Sequence, residues 1–319
     1  MAKVIVIGAG PAGIMAAIHA SKKHNVILLD GNDRIGKKLF ITGKGRCNVT
    51  NAKDISEFFD YIPGNPHFLY SALYSYTNED TINFFENAGI KLKTERGGRI
   101  FPMSDKSSDI IKGLSIGLKE ANVQVKLNSK VTNIIYNNDK ITGVEINNTT
   151  KLNGDHFILA TGGASYPLTG SRGEGQKFAK SLGHTIIDLK PSLVPIELNE
   201  PWLKELMGLS LKNISLSILK NNKVVYKNQG EMMFTNYGMS GPLVLSGSRY
   251  VKNDGNYEVS LDLKPALNES ELDKRLQKDF LKYQNKEFKN SLDDLLPQKM
   301  IPLIIKLSNI PENKKVNVI

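Results

Sequence analysis

Short apolar runs and helical spacings alternate at the start of the chain. Residues 4–7 form a continuous β-branched run, residues 14–23 place Ile14, Ala17 and Ile18 on one helical face, and residues 26–29 form a second apolar run. A short continuous apolar run is typical of a strand buried on both faces, as in a parallel sheet. The pattern therefore predicts a strand, a helix and a second strand that open a parallel α/β sheet.

The pattern changes twice further along the chain. Strand-like runs at about residues 123–153 predict a small antiparallel meander, after which residues 156–160 return to the parallel sheet. From residue 191 the apolar positions alternate in short runs, which predict a second, strand-rich domain over residues 191–265. The remaining residues, 266–319, have helical spacing interrupted by prolines. We therefore predict a first domain at residues 1–190, a strand-rich insert and a helical subdomain.

A glycine-rich turn joins the first predicted strand to the first predicted helix. Gly8, Gly10 and Gly13 have the spacing G-x-G-x-x-G, between a strand and a helix as a dinucleotide site requires. In such a turn the first glycine bends the chain, the second lets a pyrophosphate approach the backbone, and the third lets helix and strand pack closely. The helix N-terminus favours the negative charge of the pyrophosphate. The alternative is an ordinary turn between a strand and a helix.

Asp30 follows the second predicted strand directly. An acidic residue at this place accepts hydrogen bonds from the adenosine ribose in dinucleotide folds, and its charge would repel a 2′-phosphate. We therefore expect NAD or FAD rather than NADP at this site, with Gly31 beginning the segment that extends along the cofactor. The alternative is that Asp30 belongs to a solvated turn.

Two further glycine-rich segments indicate a cofactor that extends beyond the part bound at the first glycine-rich turn. Residues 36–51 are dense in glycine and hydrogen-bond donors, and Thr161, Gly162 and Gly163 follow the strand-like run at 156–160, where a doubly wound sheet binds its ligand. The alternative for residues 36–51 is a surface Ω-loop. Tyr166 and Arg172, in the polar loop beyond, are candidate substrate contacts, although Tyr166 could equally pack on its proline-containing loop.

Composition excludes several classes of protein. The single cysteine, Cys47, forms no internal disulfide and no dithiol pair, and the histidines have no metal-ligand spacing, so we expect no bound metal. No run of eighteen apolar residues and no signal-peptide pattern occurs, which predicts a cytoplasmic chain without membrane partners. The net charge of +10 would attract nucleic acid, but the lysines are dispersed. We therefore expect a small-molecule substrate and no nucleic-acid partner; the sequence does not indicate the oligomeric state.

Five motifs, in order, resemble bacterial BaiN/YhiN-type flavoproteins, the NAD(P)/FAD-dependent oxidoreductases also called aminoacetone-oxidase-family FAD-binding enzymes. The motifs are GAGPAG at 8–13, GKKLFITGKGRCNVTN at 36–51, GRIFPMSDKSSD at 98–109, LATGGASYPLTGS at 159–171 and GEMMFTNYGMSGP at 230–242. The resemblance implies an α/β fold in which a glutathione-reductase-like Rossmann domain binds FAD, with an inserted β-barrel domain and a helical subdomain. It also implies a final Rossmann segment, which is expected to be missing because the sequence ends at Ile319 without the corresponding motif.

The resemblance also assigns cofactor contacts to positions of this sequence. It implies that the pyrophosphate lies on Gly8, Ala9, Gly10, Pro11, Ala12 and Gly13 and that the ribose lies on Asp30. It implies that Val131 meets adenine and that Thr161, Gly162 and Gly163 lie near the cofactor. The flavin side is implied at Lys38 and, within the second motif, at Thr42, Gly43, Gly45, Arg46, Cys47 and Asn48.

The expected activity is hydride transfer through FAD between a nicotinamide or organic donor and a small organic substrate. The family implies reduction of a C=C bond conjugated to a ketone, or alternatively oxidation of an amine, and NAD(P)H is a candidate donor. A classical NAD-dependent dehydrogenase and a non-catalytic protein that binds FAD, a nucleotide or RNA are further alternatives. No residue is identified as a catalytic acid or base, and Cys47 is interpreted as a small packed thiol rather than a reactive one.

Overall fold

The computed structural model describes every residue except Pro63, Asp139 and Asn253, and it contains two compact units. Unit 1 is Met1–Leu189 and unit 2 is Lys190–Ile319. Asp139, which belongs to the predicted meander, lies outside the described residues.

The strands of unit 1 are β1 (Lys3–Ile7), β2 (Asn25–Leu29), β3 (Thr50–Asn51), β4 (Leu92–Glu95), β5 (Arg99–Pro102), β6 (Gln124–Lys126), β7 (Val131–Asn137), β8 (Lys140–Ile146), β9 (Thr150–Asn153) and β10 (His156–Leu159). Its α-helices are α1 (Pro11–Ser21), α2 (Tyr70–Ser75), α3 (Asn78–Asn87), α4 (Ser107–Glu120) and α5 (Glu174–Ser181). Short 3-10 helices occupy Leu39–Gly45, Ile55–Tyr61, Pro66–Leu69 and Pro167–Thr169.

A parallel four-stranded sheet in the order β10, β1, β2, β6 organises unit 1. Alternate residues of β1 enter two different cores, because neighbouring side chains of a strand point to opposite faces. Val4 and Val6 pack with residues of α1 and α4, whereas Ile5 and Ile7 pack with residues of the β7–β8 hairpin. Burial on both faces explains why β1 and β2 are continuous apolar runs.

Two antiparallel three-stranded sheets complete unit 1. The order β7, β8, β9 forms the meander, and β3, β5, β4 form a sheet within the insertion that follows β2. The helix after β1 begins at Pro11, three residues before the apolar face predicted for it; proline suits the first helical turn because its missing N–H would have no partner there. The predicted α/β fold class is confirmed.

Unit 2 combines an antiparallel sheet with a helical segment. Its strands are β11 (Ile196–Glu197), β12 (Ser210–Lys220), β13 (Lys223–Phe234), β14 (Gly238–Ser240) and β15 (Tyr257–Asp262), and its α-helices are α6 (Leu203–Leu206), α7 (Pro242–Gly247), α8 (Glu269–Lys282) and α9 (Ile301–Ser308). Short 3-10 helices occupy Ser248–Tyr250, Phe288–Asn290, Gln298–Met300 and Val316–Val318. The sheet order is β11, β14, β13, β12, β15.

The β12–β13 hairpin supplies much of the core of unit 2. Leu216, Ile218 and Phe234 are among its buried side chains. At the hairpin tip Asn221 and Asn222 both have positive φ angles, of 48° and 63°. Asparagine tolerates this conformation better than most residues, and two such positions in a row give the tight turn that a two-residue hairpin requires.

Candidate functional site

The glycine turn between β1 and α1 is packed tightly on one side. A Cβ atom on Gly8, whose φ is +106°, would lie 2.5 Å from the carbonyl oxygen of Ala160, and a Cβ on Gly13 would lie 1.9 Å from the carbonyl oxygen of Gly8. Neither position has room for a side chain. These two glycines are therefore required by the protein's own backbone.

Gly10 is required for a different reason. Its φ of −78° and ψ of 175° suit any residue, and a Cβ built on it meets no protein atom within 4 Å. The space beside Gly10 is part of a cavity with a volume of about 590 Å³, at the N-terminus of α1. A side chain at this position would fill space that the fold leaves open. Such open space is expected where a pyrophosphate approaches the backbone.

Asp30 lies at the end of β2 with its carboxylate turned toward the glycine turn. Its Oδ2 accepts a hydrogen bond from the Ala9 N–H (2.7 Å), and its Oδ1 accepts from the backbone N–H (2.8 Å) and side-chain Nδ2 (2.9 Å) of Asn32. A carboxylate has about four acceptor sites, so it retains capacity for a hydroxyl donor from a ligand. Asp30 both orients the turn and presents an acceptor to the cavity.

The cavity brings together many, but not all, of the predicted residues. On its wall lie Gly8, Ala9, Gly10, Pro11, Ala12, Asp30, Gly31, Lys38, Val131, Thr161, Gly162 and Arg172. Outside its lining lie Gly13, Thr42, Gly43, Gly45, Arg46, Cys47, Asn48, Gly163 and Tyr166. Except for Gly13, the residues predicted for the pyrophosphate and the ribose thus line one space, whereas the residues predicted for the flavin side, other than Lys38, are outside its lining.

The lining residues that were not predicted from the sequence include Asn32, Lys130, Thr169 and Glu174. Asn32 has a local signal, because an asparagine two residues after a strand-end acid can hydrogen-bond back to it. Glu174 begins α5, where a carboxylate favours the helix N-terminus. Lys130 and Thr169 have no such signal, because only the tertiary fold brings them to the cavity.

Charges of both signs surround the cavity. The Lys38 Nζ donates to the Ser165 hydroxyl (3.2 Å), and partial burial lowers the pKa of Lys38. Lys130 lies 3.9 Å from the carboxylate of Glu174. Among the described residues Lys38 forms no ion pair, so its charge is available to an anionic ligand.

Arg46 is engaged by carboxylates rather than turned toward the cavity. Its guanidinium contacts Glu95 and Asp105, with 2.8 Å from Nε to the Asp105 Oδ1, and lies 4.2 Å from the centre of the Phe101 ring. Hydrogen bonds to Glu95 and Asp105 raise the pKa of Arg46, and hydrogen bonds from Lys93 and Arg46 lower the pKa of Asp105. Arg46 therefore fastens its loop to β4 and to the residues after β5.

The rest of this loop is bound to β5 as well. Gly43, Lys44, Gly45 and Cys47 all have positive φ angles. The Asn48 side-chain nitrogen, in the orientation that satisfies its hydrogen bonds, donates to the carbonyl oxygens of Ile100 (3.1 Å) and Thr50 (3.0 Å). The conformation of the loop is thus held by protein contacts of its own.

Cys47 is 2% exposed, and burial raises the pKa of its thiol. Because the thiolate is the nucleophile, we expect native Cys47 to react with iodoacetamide at least about a hundredfold more slowly than the same cysteine in unfolded protein. Mass spectrometry of protein labelled with and without guanidinium chloride measures both rates, and the unfolded sample is the control. Labelling at comparable rates would contradict the interpretation of Cys47 as a packed, unreactive thiol.

No cluster of three potential metal ligands occurs among the described residues. Within the same part of the chain, none of the helices has both the length and the apolar character needed to cross a membrane.

Two family models match the chain. The model described as the HI0933-like protein Rossmann domain matches residues 2–241, and that described as the HI0933-like protein barrel and H2TH domain matches residues 190–319. A 3-dehydro-bile acid delta(4,6)-reductase from Clostridium scindens is 31% identical over 98% of this chain and 77% of its own length. Ribosomal RNA dihydrouridine synthases are also 31% identical, from Escherichia coli over 97% of this chain and 74% of the relative, and from Haemophilus influenzae over 98% and 76%.

Proposed function

We propose that this chain, which belongs to the HI0933-like family of FAD-binding oxidoreductases, reduces a C=C bond conjugated to a carbonyl group. The observation that carries the cofactor assignment is the turn at Gly10, where the fold leaves space beside a helix N-terminus and within reach of the Asp30 carboxylate. When bound, FAD supplies two-electron hydride chemistry.

The residues of unit 1 have separate tasks in this proposal. Gly10 leaves room for the pyrophosphate, and Asp30 accepts hydrogen bonds from the ribose. Lys38 brings a positive charge to the cavity wall, and no carboxylate of the described residues pairs with it. The carboxylate of Asp30 would repel a 2′-phosphate, which favours FAD over NADP in this cavity.

The names of the relatives describe one type of reaction. A delta(4,6)-reductase acting on a 3-dehydro-bile acid reduces C=C bonds conjugated to the 3-keto group, and a dihydrouridine synthase reduces the C=C bond of uracil that is conjugated to its carbonyl. In a conjugate reduction of this kind, hydride adds to the carbon of the C=C bond farther from the carbonyl and a proton adds to the nearer carbon. This shared chemistry supports C=C reduction over amine oxidation for the present chain.

Reductive and oxidative half-reactions test the proposal separately. Under anaerobic conditions we expect NADH or NADPH to bleach the visible absorption of the FAD-loaded protein, because the proposal includes a nicotinamide donor. Addition of a 3-keto-4-ene steroid or of uridine-containing RNA should then restore the absorption, whereas the matched saturated ketone should not. An enzyme that is bleached by a primary amine and stays reduced when enones are added would instead be an amine oxidase.

A uridine in RNA is the second candidate substrate. Two of the relatives are named for this reaction, and the net charge of +10 would attract a polyanion. We nevertheless favour a small-molecule substrate in the cytoplasm, because the cationic residues are dispersed along the sequence.

Incubation with ribosomal RNA and reductant separates the two candidate substrates. A mass gain of two hydrogen atoms on uridine supports RNA, and unmodified RNA alongside a reduced small enone supports the small-molecule substrate. Bound FAD without turnover of any of these substrates would indicate a non-catalytic binding protein.

A further inference from the structure

A loop closed at its base crosses one side of the cofactor cavity. Residues 163–173, here called the strap, begin and end at glycines whose backbones are hydrogen-bonded, from the Gly173 N–H to the Gly163 carbonyl oxygen (3.2 Å). Strap residues Leu168 to Arg172 line the same cavity as the glycine turn and Asp30. Leu168 is 88% exposed and Tyr166 is 67% exposed, so these side chains do little to bury the strap in the protein.

Two side chains from the β2 end of the cavity fasten the strap. The Lys38 Nζ donates to the Ser165 hydroxyl, and the Asn32 Nδ2 donates to the Thr169 carbonyl oxygen, both at 3.2 Å. The same Asn32 nitrogen donates to Asp30, the residue proposed to receive the ribose. A single amide group therefore joins the ribose acceptor to the strap.

The strap also contains residues with positive φ angles. Gly170 and Gly173 have φ angles of +98° and +78°, and Tyr166 has a φ of +51°. A Cβ on Gly170 would lie 2.7 Å from the Asn32 Nδ2, so the absence of a side chain there lets the strap approach Asn32. The close approach and the hydrogen bond occur at the same pair of residues.

We propose that the strap closes over the adenosine end of the cofactor and that Asn32 is a positioning residue that latches it to Asp30. The inference rests on the proposed FAD site and adds to it a segment that must open for the cofactor to leave. Asn32 acts through Asp30 and Thr169, and closure of the strap slows cofactor release. Thermal opening of a loop costs less than unfolding of the sheet, which allows exchange without loss of the fold.

Two substitutions test the latch. Asn32→Ala removes the side-chain hydrogen bonds to Asp30 and Thr169 and keeps the backbone N–H bond to Asp30, whereas Gly170→Ala places a Cβ 2.7 Å from the Asn32 Nδ2, so that the strap and the Asn32 side chain must move apart. Asn313→Ala is the matched control, because Asn313 is an exposed asparagine of unit 2 that holds one side-chain hydrogen bond, from Lys289 (2.6 Å). Thermal melts verify that all three variants fold.

Hydrogen exchange of the strap amides and the rate of FAD dissociation are the two measurements. We expect both variants to exchange faster than wild type at residues 168–172 and to release FAD about tenfold faster, the scale of one lost hydrogen bond, while Asn313→Ala matches wild type. Unchanged strap exchange in Asn32→Ala would overturn the latch, and faster exchange without faster FAD release would overturn closure over the cofactor. If the wild-type protein takes up no FAD, the proposed function fails, and exchange in the apo protein still decides the latch.

Discussion

Replacing Gly10 with valine should weaken FAD binding strongly without unfolding the protein. The backbone at Gly10 is extended, with φ −78° and ψ 175°, and a β-branched residue adopts this conformation readily. Apart from the two neighbouring residues, no protein atom lies within 4 Å of the added Cβ, so the side chain starts in the open space of the cavity. We expect FAD affinity to fall roughly a hundredfold or more, equivalent to about 3 kcal/mol, since the valine occupies the place of the pyrophosphate.

Titration of apo protein with FAD measures the loss, and thermal melting of apo protein tests the fold. Gly13→Ala is the matched comparison, because its Cβ would lie 1.9 Å from the Gly8 carbonyl oxygen and the backbone would have to move. Gly13→Ala should therefore lower the melting temperature of apo protein, and Gly10→Val should leave it unchanged. Normal FAD affinity in Gly10→Val would show that the pyrophosphate does not lie on this turn.

The parts of the site that sequence alone predicts are those in which local chemistry decides the structure. The β1 run, the glycine spacing and the strand-end Asp30 lie within thirty residues, and each follows from backbone geometry or burial. A strand buried on both faces must be apolar throughout, and a turn this tight excludes side chains at Gly8 and Gly13. Such constraints can be recognised in the sequence without knowledge of the rest of the fold.

Long-range contacts explain what the sequence could not predict. The glycines and donors of residues 36–51 indicate a binding loop, yet Arg46 is held by Glu95 and Asp105, which are 49 and 59 residues away in sequence. Whether an arginine points to a ligand or to a carboxylate depends on which strand lies beside it. The same holds for Thr169, whose carbonyl contact with Asn32 spans 137 residues.

Element lengths in unit 2 differ from the sequence pattern for a related reason. The residues at 223–227 and 232–234 belong to one strand, β13, because pairing with β12 continues through the polar residues between them. Within the predicted strand-rich domain, residues 242–247 instead form the α-helix α7, which continues as a 3-10 turn to Tyr250. Cross-strand pairing and tertiary packing, rather than the local pattern, determine these lengths.

Asp30→Asn should weaken both the apo fold and the cofactor site, although the two side chains have the same shape. In the native protein one carboxylate oxygen accepts from the Ala9 N–H and the other accepts from two donors of Asn32. An asparagine has only one acceptor oxygen, so either orientation of its amide places an N–H₂ group against a donor. We expect the apo protein to lose about 1–3 kcal/mol of stability in urea unfolding, and FAD affinity to fall at least about tenfold.

Gly10→Val and Asp30→Asn distinguish the roles that share this turn. Gly10→Val acts only on the space for the ligand, whereas Asp30→Asn removes hydrogen bonds that exist before the ligand arrives. Asp155→Asn is a control for the loss of a strand-end carboxylate, because Asp155 accepts from the Lys3 N–H (2.7 Å) and is not among the residues that line the cavity. If Asp30→Asn loses FAD affinity but no apo stability, Asp30 contacts the ribose without orienting the turn; if it loses stability alone, the ribose lies elsewhere.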